Sequence, residues 1–399
     1  MNIRLADRVN RIKPSSTLAV SAKAKELQGK GIEVLNFSAG EPDFDTPLNI
    51  KRAGIKAIAE GFTKYTPVGG VDELKDAIIE KLSKENNLEY KRSQLIISCG
   101  AKQSVYNLTQ VLLDENDEVI IPAPYWVSYP DIVLLAGAKP IILNTFEDDG
   151  FKITPEKLER AITKRSKLLI LNSPNNPTGC FYTKEELSAL GEIILKYKLL
   201  VLSDDIYEKI LYDDLSFCNI ANIGEEFKEL TFIVNGVSKS YSMTGWRIGY
   251  LAGNDEVIAA VSKIQGHSTS NPSSISQKAA IEAYIAPQNA LYDMVKEFKR
   301  RRDYIVDKLN SIPGISCFKP AGSFYVFPRV SSLYKRKFKN KEILNSVELC
   351  NFFLEIARVA AVPGGAFGND ECIRMSYTTS MENIEKGMDQ INSVISMLE

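Results

Sequence analysis

Through the middle of the chain, short unbroken apolar runs alternate with stretches whose apolar residues recur every three or four positions. The runs are Gln94–Ser98, Glu118–Ile121, Pro140–Leu143, Leu168–Leu171, Leu199–Ser203 and Thr231–Val234. Hydrophobicity that is continuous rather than alternating predicts strands covered on both faces, as in a mainly parallel sheet. Between them, Gln103–Leu113 carries apolar side chains at 105, 108, 111 and 112, and Lys184–Tyr197 at 187, 190, 193 and 194, the spacing of one helical face. The pattern predicts an α/β fold, with a three-layer large domain over residues 46–290.

A long helical pattern follows from Leu291 to Leu309, with Met294, Val295, Phe298, Ile305 and Val306 on one side. The run Lys299-Arg-Arg-Arg302 lies on the other and, with Asp303 and Asp307 nearby, reads as a solvated charged face rather than a nucleic-acid patch. Gly322–Phe327 and Glu371–Tyr377 read as strands of a smaller α+β domain. Residues 1–45 precede the sheet pattern and are expected to join 291–399 in that domain.

Composition narrows the function. The 399 residues carry 49 basic and 50 acidic side chains, a net charge of −1, so no bulk field draws nucleic acid or an anionic membrane. No apolar run reaches the length of a membrane span, and Met1–Val9 lacks the apolar stretch of a secretory signal, so the expected location is cytoplasmic. The six cysteines, at 99, 180, 218, 317, 350 and 372, form no Cys-x-x-Cys pair, which points to reduced thiols and no zinc site. Cys99 reads as a small packing residue. The single histidine, His267, excludes a His-Glu-x-x-His metal site, and a catalytic triad lacks its Gly-x-Ser-x-Gly elbow. Neither a P-loop nor a Gly-x-Gly-x-x-Gly turn is present. Proton transfer is left to Lys, Tyr, Asp, Glu or Cys.

Ligands of parallel sheets bind beyond the carboxyl ends of the strands, and four predicted strands end in chemically loaded segments. Cys99-Gly-Ala-Lys-Gln103 is a small-residue turn into a helix, where Gly100 and Ala101 let a phosphate approach the backbone N–H groups. Asn172-Ser-Pro-Asn-Asn-Pro-Thr-Gly179 fixes an irregular loop and leaves amides, Asn176 among them, for hydrogen bonding. In Ser203-Asp-Asp-Ile-Tyr207 the carboxylate of Asp204 either caps the next segment or meets a cation such as a protonated pyridine nitrogen, with Tyr207 in reach of a phenolic oxygen. In Ser238–Gly249, Lys239 is either a solvated loop lysine or a Schiff-base amine, with Arg247 eight residues on to hold a phosphate. An amine, a phosphate cradle, a ring-nitrogen partner and a phenol partner are the parts needed to hold pyridoxal phosphate.

These segments, with Ser38-Ala-Gly-Glu-Pro-Asp-Phe44, Lys64-Tyr-Thr-Pro67 and Pro124-Tyr-Trp-Val-Ser-Tyr129, make the chain resemble the class I pyridoxal-phosphate aminotransferases. Within them it looks most like the bacterial aspartate aminotransferase subgroup that includes aspartate/prephenate enzymes. The resemblance implies the type I fold of pyridoxal-phosphate-dependent transferases and a homodimer with shared active sites. It implies that Lys239 carries the cofactor and then moves the substrate's α-proton, that Asp204 faces the ring nitrogen and that Tyr207 and Asn176 face the ring oxygen. Trp126, otherwise an ordinary core aromatic, would stack on the ring; Gly100, Ala101, Lys102, Ser238 and Arg247 would surround the phosphate, with Tyr65 reaching the neighbouring subunit's. Arg374, otherwise an edge residue, would grip the substrate α-carboxylate with the Gly40 N–H. Lys13 or Lys102 would meet a distal carboxylate. Many relatives carry a serine where this chain has Gly236, so no side-chain role falls there. The implied substrates are an amino acid and a 2-oxo acid, aspartate with 2-oxoglutarate first, prephenate or aromatic substrates second. A non-catalytic sensor on the same fold and a carbon–sulfur lyase are the alternatives.

Overall fold

The apolar runs pair into one seven-stranded sheet. The structure, a computed structural model, describes residues 3–14 and 16–399, apart from the side chains of 16–18. The strands are β1 (Leu95–Ser98), β2 (Glu118–Ala123), β3 (Lys139–Asn144), β4 (Ser166–Asn172), β5 (Leu200–Asp204), β6 (Thr231–Gly236) and β7 (Gly249–Ala252). Their spatial order is β1-β7-β6-β5-β4-β2-β3. The contacts among β2 to β6 are parallel. β7, hidden in sequence behind the Lys239 loop, runs antiparallel between β1 and β6.

Both faces of this sheet are covered, which is why the runs are continuously apolar. Val119, Ile121, Leu168 and Ile170 pack on one face against Val105 and Leu108 of the helix Ala101–Leu112. Ile120, Leu169 and Leu171 pack on the other against Leu187, Leu190 and Ile194 of the helix Lys184–Tyr197. Each such burial contributes roughly 1.5–3 kcal/mol. Thr183 starts the second helix with a reciprocal cap, its hydroxyl accepting from the Glu186 N–H while the Glu186 carboxylate accepts from the Thr183 N–H. The expectation of two covered faces fails at β3, one of the two outer strands, whose Ile142 is 37% exposed.

The C-terminal third builds on the helix Asn289–Ser311. Its Met294, Phe298, Ile305 and Val306 share a core with Phe324, Val326, Met375, Ile391 and, from the N-terminal segment, Leu35 and Phe37. Leu35–Asn36 pairs in parallel with Val359–Ala360, and Val362–Pro363, Ile373–Ser376 and Tyr325–Val326 form a small antiparallel sheet. Only half of the basic run is the solvated face expected from sequence: Lys299 and Arg300 keep open side chains, whereas Arg301 and Arg302 are buried. Arg302 has no exposed surface, gives Asp213 two hydrogen bonds of 2.7 and 2.9 Å and lies over the Tyr212 ring. Arg301, also buried, reaches Asp43 at 2.8 Å and Glu297 at 3.0 Å. A guanidinium survives burial when its planar fork is paired, and Asp213 and Asp43 come from remote segments. Among the described residues no helix is long and apolar enough to cross a membrane.

Candidate active site

Beyond the carboxyl ends of β5 and β6 lies a cavity of about 340 Å³, within the range of small-molecule sites (roughly 300–1,000 Å³). It is lined by Lys239, Asp204, Tyr207, Asn176, Trp126 and Arg374, together with Gly40, Ala101, Lys102, Ser238 and Arg247.

Lys239 follows β6, in a turn that leaves no room for side chains beneath it. A Cβ on Gly236 would lie 2.7 Å from the Ile248 carbonyl oxygen, and one on Gly249 would lie 2.2 Å from the Ala101 nitrogen. This backbone-to-backbone approach explains why position 236 carries no serine. The Lys239 Nζ donates to the Gly40 carbonyl at 2.5 Å. Burial pushes its ammonium down to about 8; Glu41 and Asp204 oppose that shift, and Arg374 and Arg247 reinforce it.

Asp204 ends β5 and is buried. Burial raises its carboxyl to about 6, against the pull of its partners. Its Oδ2 accepts from the Tyr129 hydroxyl at 2.6 Å, its Oδ1 from the Ile206 N–H at 3.3 Å, and Lys239 adds a favourable charge. It caps the next segment locally, as one of the sequence readings had it, and it also lines the cavity. Tyr207 is buried with its hydroxyl 3.0 Å from that of Tyr325.

The asparagine loop ties the two sides of the cavity together. Asn172 donates to the Asp204 carbonyl at 2.8 Å and accepts from the Asn176 N–H at 2.8 Å. The Asn176 Oδ1 accepts from the Arg374 Nη1 at 3.1 Å, and the Ser38 carbonyl accepts from Nη2 at 2.8 Å. Arg374 is thus fully enclosed, sandwiched between the Tyr325 and Phe367 rings at 4.4 and 4.9 Å. Its Nε has no hydrogen-bond partner among the described residues. A buried cation on the cavity lining, with one donor unused, is suited to an anion.

At the opposite end, Gly100 adopts φ +88° and a Cβ there would meet the Arg247 Nη2 at 2.4 Å. Backbone N–H groups at the start of the helix Ala101–Leu112 therefore stand bare beside a guanidinium, which the Thr244 and Cys99 carbonyls orient at 2.8 and 3.3 Å. Lys102 holds its ammonium 4.7 Å from the centre of the Trp126 ring.

Two expected residues stand apart from this lining: Tyr65 is 92% exposed, and Lys13 is exposed as well. Tyr129 and Tyr325, conversely, touch Asp204 and Tyr207 without having been assigned roles from sequence. Tyr129 carried a signal, because it stands three residues after Trp126, one turn along the helix Ser128–Leu135 that begins there.

An amine, a buried carboxylate and a bare-backbone anion cradle around one cavity define a site for a phosphorylated pyridine aldehyde. The comparisons agree. The model of the family "Aminotransferase class I and II" matches residues 32–391. The chain is similar to the aspartate aminotransferase of Bacillus subtilis (strain 168), 49% identical over 98% of this chain and 99% of that protein. It is also similar to the aspartate/prephenate aminotransferase of Nitrosomonas europaea, 48% identical over 99% and 100%. Among solved structures it matches the aspartate aminotransferase of Rhizobium meliloti with a TM-score of 0.97 and 42% identity over the whole of both chains. It matches that of Thermus thermophilus, solved with maleate, with a TM-score of 0.92 and 40% identity over 98% and 100%. The chain belongs to the class I and II aminotransferases.

Its fold is the type I fold of those enzymes, and its cofactor is pyridoxal 5′-phosphate. The residues fit that group. The cradle at Gly100 admits a phosphate only because a side chain is missing there, and Asp204 offers a carboxylate in a buried place where it needs a cation.

Proposed function

We propose that this enzyme transfers the amino group of L-aspartate to 2-oxoglutarate, with Lys239 holding pyridoxal phosphate between half-reactions. The observation that carries the substrate assignment is Arg374, enclosed, with an unused Nε, in a cavity that also holds the ammonium of Lys102. Two cations within one cavity suit a dicarboxylate better than an apolar amino acid. The similar Thermus enzyme was solved with maleate, itself a dicarboxylate.

Pyridoxal phosphate, when bound, supplies an aldehyde carbon that condenses with amines and a ring that withdraws electrons from the carbon beside them. Lys239, its ammonium held near 8, has a substantial neutral fraction near neutral pH and serves as the nucleophile. The Lys239 amine would also be the base that takes the substrate's α-proton and returns it. Asp204 would keep the ring nitrogen protonated, Tyr207 and Asn176 would bond the ring oxygen and Trp126 would cover the ring face. Ala101, Lys102, Ser238 and Arg247 would surround the phosphate, with Gly100 leaving the space for it. Arg374 and the Gly40 N–H would orient the α-carboxylate.

For the distal carboxylate we favour Lys102, which lines the cavity, over Lys13, which is exposed. Residues 1–45 and 291–399 would act as a small domain closing over the 46–290 domain. A homodimer in the cytoplasm is part of the same reading, and exposed Leu48, Ile55, Ile58 and Tyr65 support it as a surface for a second copy, Tyr65 reaching the partner's phosphate site.

Initial rates test the assignment, with aspartate, glutamate, alanine and phenylalanine as donors to 2-oxoglutarate, and prephenate as acceptor from aspartate. Aspartate should lead. Faster turnover of alanine or phenylalanine overturns the assignment, and efficient use of prephenate would move the enzyme to the acceptor range named for the similar Nitrosomonas protein.

A further inference from the structure

Residues 38–46 run as a strap between the two sides of the site. At its start the Ser38 carbonyl accepts from Arg374 Nη2 at 2.8 Å. Further on, Asp43 accepts from Arg301 at 2.8 Å, and Phe44 packs edge to face on Phe298, ring centres 5.3 Å apart. At its end Thr46 donates to the Ser242 carbonyl at 2.7 Å. Gly40 has no side chain to anchor it, and glycine has the freest backbone of any residue. A Cβ there would lie 3.2 Å from the Tyr325 hydroxyl, so a larger residue would press on it. Among the described residues, two hydrogen bonds tie Gly40 and Glu41 to the turn that carries Lys239. The Lys239 Nζ donates to the Gly40 carbonyl at 2.5 Å, and the Thr244 Oγ1 donates to Glu41 Oε2 at 2.7 Å. Loading the site weakens or removes the first tie, because a lysine that condenses with an aldehyde keeps at most one of its three N–H donors. The second is untouched by that chemistry.

We propose that Glu41 is a positioning residue, whose hydrogen bond with Thr244 latches the strap to the Lys239 turn and holds Gly40 in place for the substrate α-carboxylate while Lys239 carries the cofactor. The inference rests on the reading of Gly40 and Arg374 as the α-carboxylate site. Both ends of the latch are themselves restrained. Pro42, next in the chain, disfavours a helical backbone at Glu41, so the carboxylate reaches out from a restricted segment. Thr244 lines the cavity, and its carbonyl accepts from Arg247 Nη1 at 2.8 Å. One residue thus holds the strap through its hydroxyl and the phosphate-side guanidinium through its carbonyl. The competing role for Glu41 is that of a charge favouring the Lys239 ammonium. Glutamine separates the two roles, since it keeps an acceptor for the Thr244 hydroxyl and drops the charge.

The test is the affinity of the cofactor-loaded enzyme for maleate, a dicarboxylate with no amine to transfer, read by calorimetry beside aspartate kinetics. Glu41→Ala and Thr244→Val should each raise the maleate Kd and the KM for aspartate about tenfold, while kcat falls less than about threefold. Cofactor Kd should change less than about threefold, because the Thr244 carbonyl still holds Arg247. Glu41→Gln and Thr244→Ser keep the bonded pair and should hold maleate within about threefold of wild type. The double variant Glu41→Ala/Thr244→Val should be no worse than either single one. Wild-type maleate affinity in Glu41→Ala or Thr244→Val overturns the inference, as do losses that add in the double variant. Equal losses in Glu41→Gln and Glu41→Ala assign Glu41 to charge and overturn it too. If one single variant does not fold, the other and its conservative counterpart decide by the same criteria. Arg374→Lys is the control. Unchanged maleate affinity there overturns the reading of the α-carboxylate site, and this inference with it; weakened affinity there with none in Glu41→Ala overturns the latch alone.

Discussion

A buried carboxylate that waits for a cation should make the cofactor-free protein less stable than it could be, and Asp204 allows the cost to be read. Burial raises its carboxyl from 3.8 to about 6 in the folded protein. A group raised in this way contributes its full stability below the unfolded value and loses it as pH rises through the folded one. At about 1.4 kcal/mol per unit the full effect is roughly 3 kcal/mol, of which the cofactor-free protein at pH 7.5 lacks roughly 2.5 kcal/mol that it still has at pH 4. Asp204→Asn removes the titration. It also disturbs the hydrogen bonds from Tyr129 and Ile206, a pH-independent cost of about 1 kcal/mol. The measurement is therefore the difference in unfolding free energy between the two cofactor-free proteins, from urea denaturation at intervals between pH 4 and 7.5. That difference should shift in favour of the variant by roughly 2.5 kcal/mol, with most of the change between pH 4 and 6.5. With cofactor bound the order should reverse, because the variant has lost the ring-nitrogen partner. A difference that stays flat with pH would mean that Asp204 does not titrate in this range and that burial is not what perturbs it.

Four further outcomes follow from the same geometry. Capture of pyridoxal phosphate by the cofactor-free protein should rise with pH through a midpoint near 8, where Lys239 becomes neutral, and Lys239→Ala should abolish transamination; capture that keeps rising to pH 10 would contradict the first, and normal turnover the second. Arg374→Lys loses the planar fork and its place between Tyr325 and Phe367, so KM for aspartate should rise about 10- to 100-fold, and an unchanged KM would remove Arg374 from substrate binding. Lys81 and Glu208 form an ion pair with side chains 3% and 6% exposed behind the Asp204–Tyr207 segment, so Lys81→Met should destabilise by about 3–5 kcal/mol in urea denaturation and adding Glu208→Gln should recover much of it; equal losses in the single and double variants would count against the pair.

Legibility followed the range of the interaction. The inner strands were readable because cover on both faces leaves a continuous apolar run in local sequence, as in Leu168–Leu171. β7 was not, since Gly249–Ala252 is short and sits directly behind the Lys239 turn. β3 read as buried because a run of isoleucines does not reveal how many neighbours its strand has. Arg302 read as solvated because its partner Asp213 lies 89 residues away, and helical periodicity carries no trace of such a pair.

By itself, then, the sequence determined the α/β class, the family and the chemical parts of the site, because each part is a local motif at the end of a strand and local motifs survive in one dimension. Tertiary structure decided what each part touches. It placed the Arg374 fork against Asn176 and Ser38, lowered Lys239 by enclosing it and brought the Tyr129 hydroxyl onto Asp204 across 75 residues. It set Lys102 in the cavity wall and left Lys13 in solvent. Burial and pairing depend on distances between remote segments, and only the packed sheet and its covering helices set those distances.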